Sequence, residues 1–344
     1  MKVKLEDVCE RGSSNLKQSD VEGKNGDYAV YGASGYIGSV DFYHQELPYV
    51  AVVKDGAGIG RTVLLPAKSS VIGTMQYLLP KRNVLPEYLG YVVRYMHLEK
   101  YFSGATIPHI YFRDYKNEEF NLVPADRQKE IVATLEKLEA IASARRQQLQ
   151  KLDELIKSRF IELFGDQTVN PYAWQQTSIG ACCTLKSGTS LPADRENEGG
   201  AIPYVKVGDM NYPGNEQYIT TSSRFVSEQT AGTGVFPVGT VVFPKRGGAI
   251  GTNKKRLTRI PICADLNVMG VTAGRRLTPQ YLMAYFNTVD LGTLNNGSSV
   301  PQINNKDIAP LLICIPPMEL QEQFAAFVEQ TDKSKLCGKM EVAA

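Results

Sequence analysis

A heptad repeat of apolar positions runs through residues 131–163. Its positions alternate four and three residues apart: Ile131, Leu135, Leu138, Ala142, Arg145, Leu149, Leu152, Ile156, Arg159 and Leu163. This spacing indicates the seam of a coiled-coil helix. Pro124 and Asp126 favour a helix start just before the repeat, and Gly165 favours its end. At 1.5 Å per residue the helix would be roughly 55–60 Å long, and its seam would need a partner helix.

A second, shorter helix is predicted near the end of the chain. It begins at Glu319, after Pro316 and Pro317, and its seam consists of Phe324, Phe327, Val328 and Thr331. The pattern then fades in TDKSKLCGKMEVAA. Because this helix is about half as long as the first, we expect the first helix to lack an internal partner from about Arg145 onward. A second copy of the protein or a different subunit would then cover it.

The remaining sequence alternates short strand-like segments with turn residues. DYAVYG, YVAVVK, RTVLLP, AIPYVKVG and TVVFPK are rich in β-branched and aromatic residues and are separated by Gly, Pro, Asn and Asp. Two amphipathic helices, LPEYLGYVVRYMHLEKYF and LTPQYLMAYFNTVDLGTL, begin at Leu-Pro and Thr-Pro start signals. These patterns predict an α+β fold.

The same motifs occur twice in the same order. GATIPHIYFRDY and GSSVPQINNKDI share a skeleton in which Pro108 matches Pro301 at a distance of 193 residues, and Gln128 matches Gln321 at the same distance. VVKDGAGIGRT matches VFPKRGGAIGT at 191, whereas the beginnings of the copies match at about 174. The second copy therefore contains an insertion, which we place around LPADRENEGG. Such a duplication predicts two similar α/β domains, with boundaries at 1–125, 126–166 (long helix), 167–317 and 318–344 (short helix).

Composition excludes several classes of protein. The 344 residues, 43% hydrophobic and 22% charged, suit two domains of about 150 residues each. No apolar run approaches the roughly 18 residues of a membrane helix, and the N-terminus lacks an apolar signal segment, so we expect a cytoplasmic protein. Six cysteines without CxxC spacing predict buried thiols and no metal site. Three histidines form no catalytic motif. The net charge of +2 leaves a nucleic-acid partner open.

A glycine motif offers an alternative. In YGASGYIGSV, the residues Gly32, Gly35 and Gly38 have the spacing found in NAD-dependent short-chain dehydrogenases and epimerases, and Asp55 follows at a distance suited to a ribose-binding acid. The following SVDFYHQELP is β-branched and aromatic, whereas a cofactor site needs a helix there. We therefore expect a turn between strands, with the NAD-dependent enzyme as the alternative.

The basic segments point to phosphate contacts. Lys54 and Lys245 each end a predicted strand and precede glycines, and Arg246, Lys254 and Lys255 extend the second of these loops. Cationic loops with accessible backbone amides suit the phosphates of nucleic acid. His109 and Gln302 occupy equivalent places in the two proline loops, where their side chains suit base edges. The alternative for these loops is structural: Pro and Ile would seat each globule on the helix that follows.

The order and duplication of these motifs resemble the DNA-specificity subunit of type I restriction-modification enzymes. The resemblance covers nearly the whole chain and is carried by YGASGYIGSV, KDGAGIGRT and GATIPHIYFRDYKNEEFNLVPADRQKEIVATLEKLEAI, with IPYVKVGDMN, PKRGGAIGT and GSSVPQINNKDIAPLLICIPPMELQEQF as their counterparts. It implies two target recognition domains that each recognise half of a split, asymmetric DNA sequence. The long helices would pack as an antiparallel coiled coil.

The resemblance also implies partners. The helices would dock methyltransferase subunits, which bind S-adenosylmethionine, and a restriction subunit adds to the complex in that family. This chain would be non-catalytic and would bind double-stranded DNA but no cofactor. A further alternative is a scaffold that does not bind DNA.

The candidate residues follow from these interpretations. The candidate DNA contacts are Tyr36, Lys54, Arg61, His109, Arg113, Lys186, Lys206, Lys245, Arg246, Asn253, Lys254, Lys255, Ser298 and Gln302. The candidate helix and subunit interface consists of Ile131, Leu135, Leu138, Leu149, Leu152, Ile156, Leu163, Phe324, Phe327 and Val328.

Overall fold

The structure is a computed structural model that describes residues 1–104, 108–294 and 300–343, with side chains up to Leu336. It divides into two compact units, Met1–Ser143 and Ala144–Ala344. The division falls inside the long helix, so that each unit contains part of it. Both units combine helices with mixed and antiparallel sheets, and each repeats the other's order of elements. The predicted α+β fold with two similar domains is therefore confirmed.

The first unit is built around a sheet with the strand order β2-β8-β5-β6, accompanied by a smaller sheet β4-β3-β7 and the pair β1-β9. Its strands are β1 (Lys2–Lys4), β2 (Cys9–Ser13), β3 (Tyr28–Gly32), β4 (Gly35–Val40), β5 (Tyr49–Val53), β6 (Thr62–Leu65), β7 (Ser70–Val71), β8 (Met75–Pro80) and β9 (Glu119–Asn121). Its helices are α1 (Leu5–Val8), α2 (Pro86–Tyr95), α3 (Phe112–Tyr115) and the beginning of α4 (Ala125–Phe164).

Two apolar layers hold this unit together. Val50, Val52 and Leu78 on one face of the main sheet pack with Leu89 and Val93 of α2. Successive residues of a strand point to opposite faces, so the intervening positions form a second core beneath the smaller sheet. The strand YVAVV is therefore buried on both sides, which explains why it is apolar at every position.

The second unit repeats this plan. Its main sheet has the order β11-β18-β15-β16-β13, its smaller sheet is β14-β12-β17, and β10 pairs with β19. The strands are β10 (Gln175–Ser178), β11 (Cys183–Ser187), β12 (Ile202–Val205), β13 (Tyr218–Ile219), β14 (Phe225–Val226), β15 (Thr240–Pro244), β16 (Arg256–Thr258), β17 (Cys263–Ala264), β18 (Val268–Ala273) and β19 (Leu312–Ile315). The helices are α5 (Ile179–Cys182), α6 (Glu228–Ala231), α7 (Pro279–Thr288), α8 (Asn305–Ile308) and α9 (Met318–Ala343).

The insertion of the second copy lies elsewhere than predicted. Strands β3 and β12 still correspond at a distance of 174 residues, whereas β5 and β15 correspond at 191. Most of the additional residues therefore lie between β12 and β14, within 206–224, and the predicted site at 191–200 is wrong. The polar composition of 191–200 is typical of an inserted loop, but the first copy has a loop of equal length at the corresponding position. The true insertion is partly apolar: Met210 and Ile219 are fully buried, and the segment adds strand β13.

The end of α4 packs against α9 within the second unit. The rings of Phe160 and Phe324 lie 5.6 Å apart. Farther along both helices, the Lys335 ammonium lies 2.7 Å from the Asp153 carboxylate. Asp153 precedes Phe160 in α4, whereas its partner Lys335 follows Phe324 in α9. The two helices therefore run antiparallel, as predicted. Ile156, Leu163 and Val328 pack in the same core.

The predicted lack of an internal partner at the end of α4 is wrong. We expected the segment from about Arg145 onward to lack an internal partner, yet Phe160 and Phe164 there are fully buried. The reason is the antiparallel packing, which places the beginning of α9 beside the end of α4. Exposed apolar side chains occur in both halves of α4: Leu138 and Ile141 are each 57% accessible, and Leu155 and Ile161 are 48% and 47% accessible.

A buried glutamine fastens each long helix to its unit. The Gln128 side chain accepts a hydrogen bond from Leu85 N (2.8 Å) and donates to Asn83 O (3.0 Å) and Val123 O (2.9 Å). Gln321 makes the equivalent bonds, with Thr278 N (2.9 Å), Arg276 O (3.0 Å) and Pro316 O (2.9 Å). Neither side chain is exposed. Both amides therefore satisfy backbone groups that would otherwise be buried without partners.

Replacing Gln128 by Met should destabilise the first unit by about 2–4 kcal/mol, because two carbonyl groups and one amide lose their partners in the interior. Denaturant unfolding followed by circular dichroism measures this change. The control is Gln147→Met, at an exposed glutamine of the same helix, which should change stability by no more than about 0.5 kcal/mol. Equal stabilities of the two variants would show that Gln128 does not fasten the helix.

Candidate nucleic-acid interface

In each unit the two duplicated loops lie side by side, and we call this contact the loop junction. In the first unit it joins residues 54–56, which follow β5, to residues 108–110 of the proline loop. Gly56 N donates to Pro108 O (2.9 Å), and Ile110 N donates to Lys54 O (2.9 Å). In the second unit Gly247 N donates to Pro301 O (2.8 Å), and Ile303 N donates to Lys245 O (2.9 Å). The motifs that repeat in the sequence thus meet through the same backbone bonds.

The isoleucines anchor the loop junction. Ile110 is 1% exposed and Ile303 is fully buried, each in the core of its own unit. Their neighbours His109 and Gln302 are half-buried and lie on the outer side. The structural role that we considered for the proline loop, seating the domain on the following helix, therefore applies to the isoleucine. The polar residue just before it, His109 or Gln302, stays accessible.

In the first unit the loop junction holds a histidine and a carboxylate together. His109 Nδ1 lies 2.7 Å from Asp55 Oδ1, and the Lys54 ammonium lies 3.4 Å from Asp55 Oδ2. The His109 ring also stacks on Tyr111, with ring centres 6.3 Å apart. The Arg113 guanidinium lies over the same Tyr111 ring, 4.7 Å from its centre. The Asp55 contact fixes which ring nitrogen faces inward and leaves Nε2 for a ligand.

The second unit has a different charge at the same position. Arg246 stands where the first unit has Asp55, and its side chain is exposed. Lys245 is half-buried and donates to Ser187 Oγ (2.9 Å); loss of solvent lowers its pKa, and the nearby Arg246 charge lowers it further. Gln302 Nε2 donates to Asn304 Oδ1 (2.9 Å). The second loop junction is therefore more cationic than the first, although their backbones match.

The glycine motif forms a hairpin and no cofactor site. Gly32 and Gly35 close the antiparallel pair β3 and β4, and β4 continues to Val40 where a dinucleotide site needs a helix. Gly35 has a φ of 114°, which favours glycine, and a Cβ on Gly38 would lie 2.7 Å from the Val21 side chain. The NAD-dependent alternative is thus contradicted. Tyr36 lies beside the tip of this hairpin and is 63% exposed.

Two of the predicted DNA contacts, Arg61 and Lys254, form hydrogen bonds to segments that connect strands. Arg61 Nη1 donates to Ala33 O at the tip of the hairpin (2.9 Å). Lys254, 193 residues later, bonds Asn211 in the segment that replaces this tip in the second unit. Both cations therefore contribute to local structure, and no pattern in the sequence indicated these contacts.

Lys255 was predicted to contact DNA, but the structure places it in the interior. It is 4% exposed, and its ammonium donates to Asn253 Oδ1 (2.8 Å) and Val289 O (2.7 Å). Burial lowers its pKa to about 8. The Asn253 side chain also accepts from Leu291 N (2.9 Å), so this asparagine is a structural link. Lys255 therefore does not belong to the interface.

The remaining candidates have mixed surroundings. Lys186 donates to backbone carbonyls of Thr233 and Val235, the latter at 3.0 Å. Lys206 is paired with Glu196, with an ammonium–carboxylate distance of 2.6 Å. Arg113 has a highly exposed side chain. Ser298 lies outside the described residues.

Sequence reasoning missed two residues at the first loop junction. Asp55 was considered only as a ribose-binding acid, and Tyr111 was not selected. No spacing rule could have placed Asp55 against His109, because they are 54 residues apart. The adjacency of Tyr111 to His109 and Arg113 in the proline loop was the available signal.

Within the parts of the chain that the structure describes, no cluster of His, Cys, Asp and Glu is arranged to hold a metal ion. No helix among those residues has the length and apolar character needed to cross a membrane.

A family model and a curated relative match this chain. The family model for the type I restriction modification DNA specificity domain matches residues 1–154 and 171–338. The type I restriction enzyme MjaIX specificity subunit of Methanocaldococcus jannaschii is 22% identical over 281 residues, which are 73% of this chain and 63% of that protein. The chain thus spans less than two thirds of this curated relative.

Two solved structures share the fold. The S subunit of a type I restriction-modification system from M. genitalium aligns with a TM-score of 0.64 and 14% identity, covering 100% of this chain and 92% of that one. A chain from a study of complex assembly and conformational transition of the type I R-M system aligns with a TM-score of 0.55 and 17% identity, with the same coverages.

Burial of Lys255 should make the stability of the folded protein depend on pH. Its pKa is about 8 in the folded protein, against roughly 10.4 when unfolded, so the unfolded chain binds more protons between these values. The folded state should therefore gain stability as pH rises from about 8 to about 10.4. Lys255→Met should remove this contribution, so that the difference in unfolding free energy between variant and wild type depends on pH in this interval. A difference independent of pH, measured by denaturant unfolding, would contradict the assignment.

Proposed function

The chain belongs to the type I restriction-modification DNA specificity family, and from this membership we propose that it is a non-catalytic subunit that binds double-stranded DNA at a bipartite sequence. Each unit would recognise one half of the target. The proposed domain boundaries are 1–125 and 167–317 for the two recognition domains, and 126–166 and 318–344 for the helices.

The observation that carries this proposal is the loop junction, which has one backbone geometry in both units but different side chains. A shared geometry presents each junction to the same kind of ligand. The differing residues, His109 oriented by Asp55 in one unit and Gln302 in the other, would give each unit its own preference. The two half-sites should therefore differ, and the whole target should be asymmetric. A gap of constant length between the two half-sites is part of the proposal.

Base recognition would involve His109 and Gln302. Gln302 offers an amide, which suits the paired donor and acceptor of adenine in the major groove. His109 offers a ring nitrogen whose direction is set by Asp55. Tyr36 would add a contact from the exposed hairpin.

Phosphate contacts would come mainly from the exposed cations at the loop junctions. Arg246 and Arg113 are exposed, and Lys54 and Lys245 lie at the equivalent strand ends. The second unit would make the larger phosphate contribution, because the first unit has a carboxylate where the second has Arg246. Lys186 and Lys206, which lie outside the loop junctions, would contribute less.

Lys245→Ala/Arg246→Ala should weaken binding to all duplex DNA alike and reduce the slope of log affinity against log salt by about 1–2, because up to two phosphate contacts are lost. Fluorescence anisotropy at several salt concentrations measures both quantities. As the control, Lys157→Ala removes an exposed cation of α4 and should leave the slope unchanged. An unchanged slope in the double variant would refute the role of this loop, and absence of any DNA binding by wild type would favour a scaffold.

The helices would dock the methyltransferase subunits, which supply S-adenosylmethionine; a restriction subunit would add to that complex. The exposed Leu138 and Ile141 in the first half of α4 are the favoured contact with the methyltransferase subunit. Two exposed apolar side chains three positions apart on a helix suit association with another protein. Self-association through the same surface is the competing possibility.

Leu138→Glu/Ile141→Glu should reduce co-purification of the methyltransferase subunit at least about ten-fold, since two carboxylates would be buried in the interface. Val238→Glu, at an exposed loop residue, is the control. DNA binding by the isolated chain should be the same in both variants. Retained association in the double variant would place the docking surface elsewhere.

A further inference from the structure

The two units differ at one edge of their main sheets. In the second unit β13 lies along β16 in parallel, with Tyr218 opposite Leu257 and Ile219 opposite Thr258. In the first unit β6 is the counterpart of β16, and it is the outermost strand of the described sheet. The insertion that supplies β13 is confined to the second copy. The first unit therefore leaves open an edge that the second unit fills from its own chain.

The register of the strands shows which backbone groups of β6 face the open edge. Leu64 pairs with Val50, and Leu257 pairs with Val241, which makes Leu64 and Leu257 equivalent residues. Leu257 N donates outward to Gln217 O of the added segment (3.2 Å). In the first unit the amide and carbonyl of Leu64 consequently face the open edge. They form the beginning of a ladder to which an extended chain can bind.

An apolar groove of about 310 Å³ lies beside this edge. Tyr31 and Tyr36 of the hairpin form one wall, and Val63 and Leu65 of β6 form the other. In the second unit the corresponding interior is filled by Ile219, which is fully buried in the core under the smaller sheet. The groove thus matches a branched aliphatic side chain from an added strand.

The edge also lacks the usual protection against strand addition. Exposed edges in soluble proteins commonly carry lysine or an inward-pointing charge. The sequence of β6 is Thr-Val-Leu-Leu, without a charged residue, and Leu64 is 38% exposed whereas its counterpart Leu257 is 5% exposed. This position is therefore covered in the second unit, which has the additional strand, and partly open in the first unit, which does not.

We propose that the first unit binds an extended segment of a different protein, which adds in parallel to β6. The segment carries an aromatic or long side chain that covers Leu64, followed by a branched aliphatic residue that enters the groove between Tyr31 and Leu65. It occupies the position that Tyr218 and Ile219 occupy in the second unit. The recognised ligand is therefore a peptide strand, and the surface is separate from the loop junction.

The test uses a fluorescent peptide of residues 215–222, NEQYITTS, as the probe for the full-length chain. Fluorescence anisotropy with protein titrated to about 1 mM should show saturable binding, in the range of short strand-adding peptides. Leu64→Lys should weaken binding at least about ten-fold, because the charge covers the edge. Leu47→Lys, at another exposed leucine of the same unit, should stay within about two-fold of wild type. A probe with Ile219→Asp should not bind.

Hydrogen exchange locates the peptide. The Leu64 amide should exchange at least about five-fold more slowly with saturating peptide, whereas the Leu257 amide, already bonded to Gln217, should not change. The proposal is overturned if the peptide fails to bind, or if Leu64→Lys binds it like wild type. It is equally overturned if sedimentation shows a dimer that Leu64→Lys abolishes, because a second copy would then occupy the edge.

Discussion

Each half of this protein depends on the hydrogen bonds of one buried glutamine. Gln128 and Gln321 lie near the beginnings of the two long helices and bind the backbone just before α2 and α7. A helix that extends from a domain can point in many directions. Three hydrogen bonds from one buried side-chain amide restrict this direction, because each bond is kept only in a narrow range of geometries. The direction of α4 and α9 is thereby fixed relative to the sheet of each unit. The loop junction lies in the same unit, so its orientation to the helix is fixed as well.

Duplication followed by local change explains how one fold could serve the two proposed half-sites. The backbone bonds of the loop junction are the same in both units, because they involve main-chain atoms and the buried Ile110 and Ile303. The side chains that flank these bonds are free to differ, and the exchange of Asp55 for Arg246 reverses a charge. The insertion within 206–224 changes one sheet edge without disturbing the junction. Differences are thus concentrated at positions that do not hold the fold together.

Much of the fold followed from the sequence, because periodicity and repetition are local signals. The heptads predicted α4, and the matched motifs predicted two similar units. The errors have physical causes. The polar segment 191–200 looked like an insertion, while the true insertion was hidden because Ile219 joins a core. The end of α4 was expected to lack an internal partner because helix lengths were compared without applying the antiparallel direction. Lys255 looked like a surface cation, since burial of a lysine depends on partners distant in sequence, such as Val289.

If the two units recognise separate halves of one DNA target, selection from a pool of random duplex DNA should reveal both halves. The selection uses the full-length chain together with the proposed methyltransferase partner, followed by sequencing of the bound molecules. We expect two short blocks of enriched bases that differ from each other and are separated by a gap of constant length. A single contiguous block, two identical blocks, a variable gap or no enrichment would show that the units do not recognise separate halves of one target.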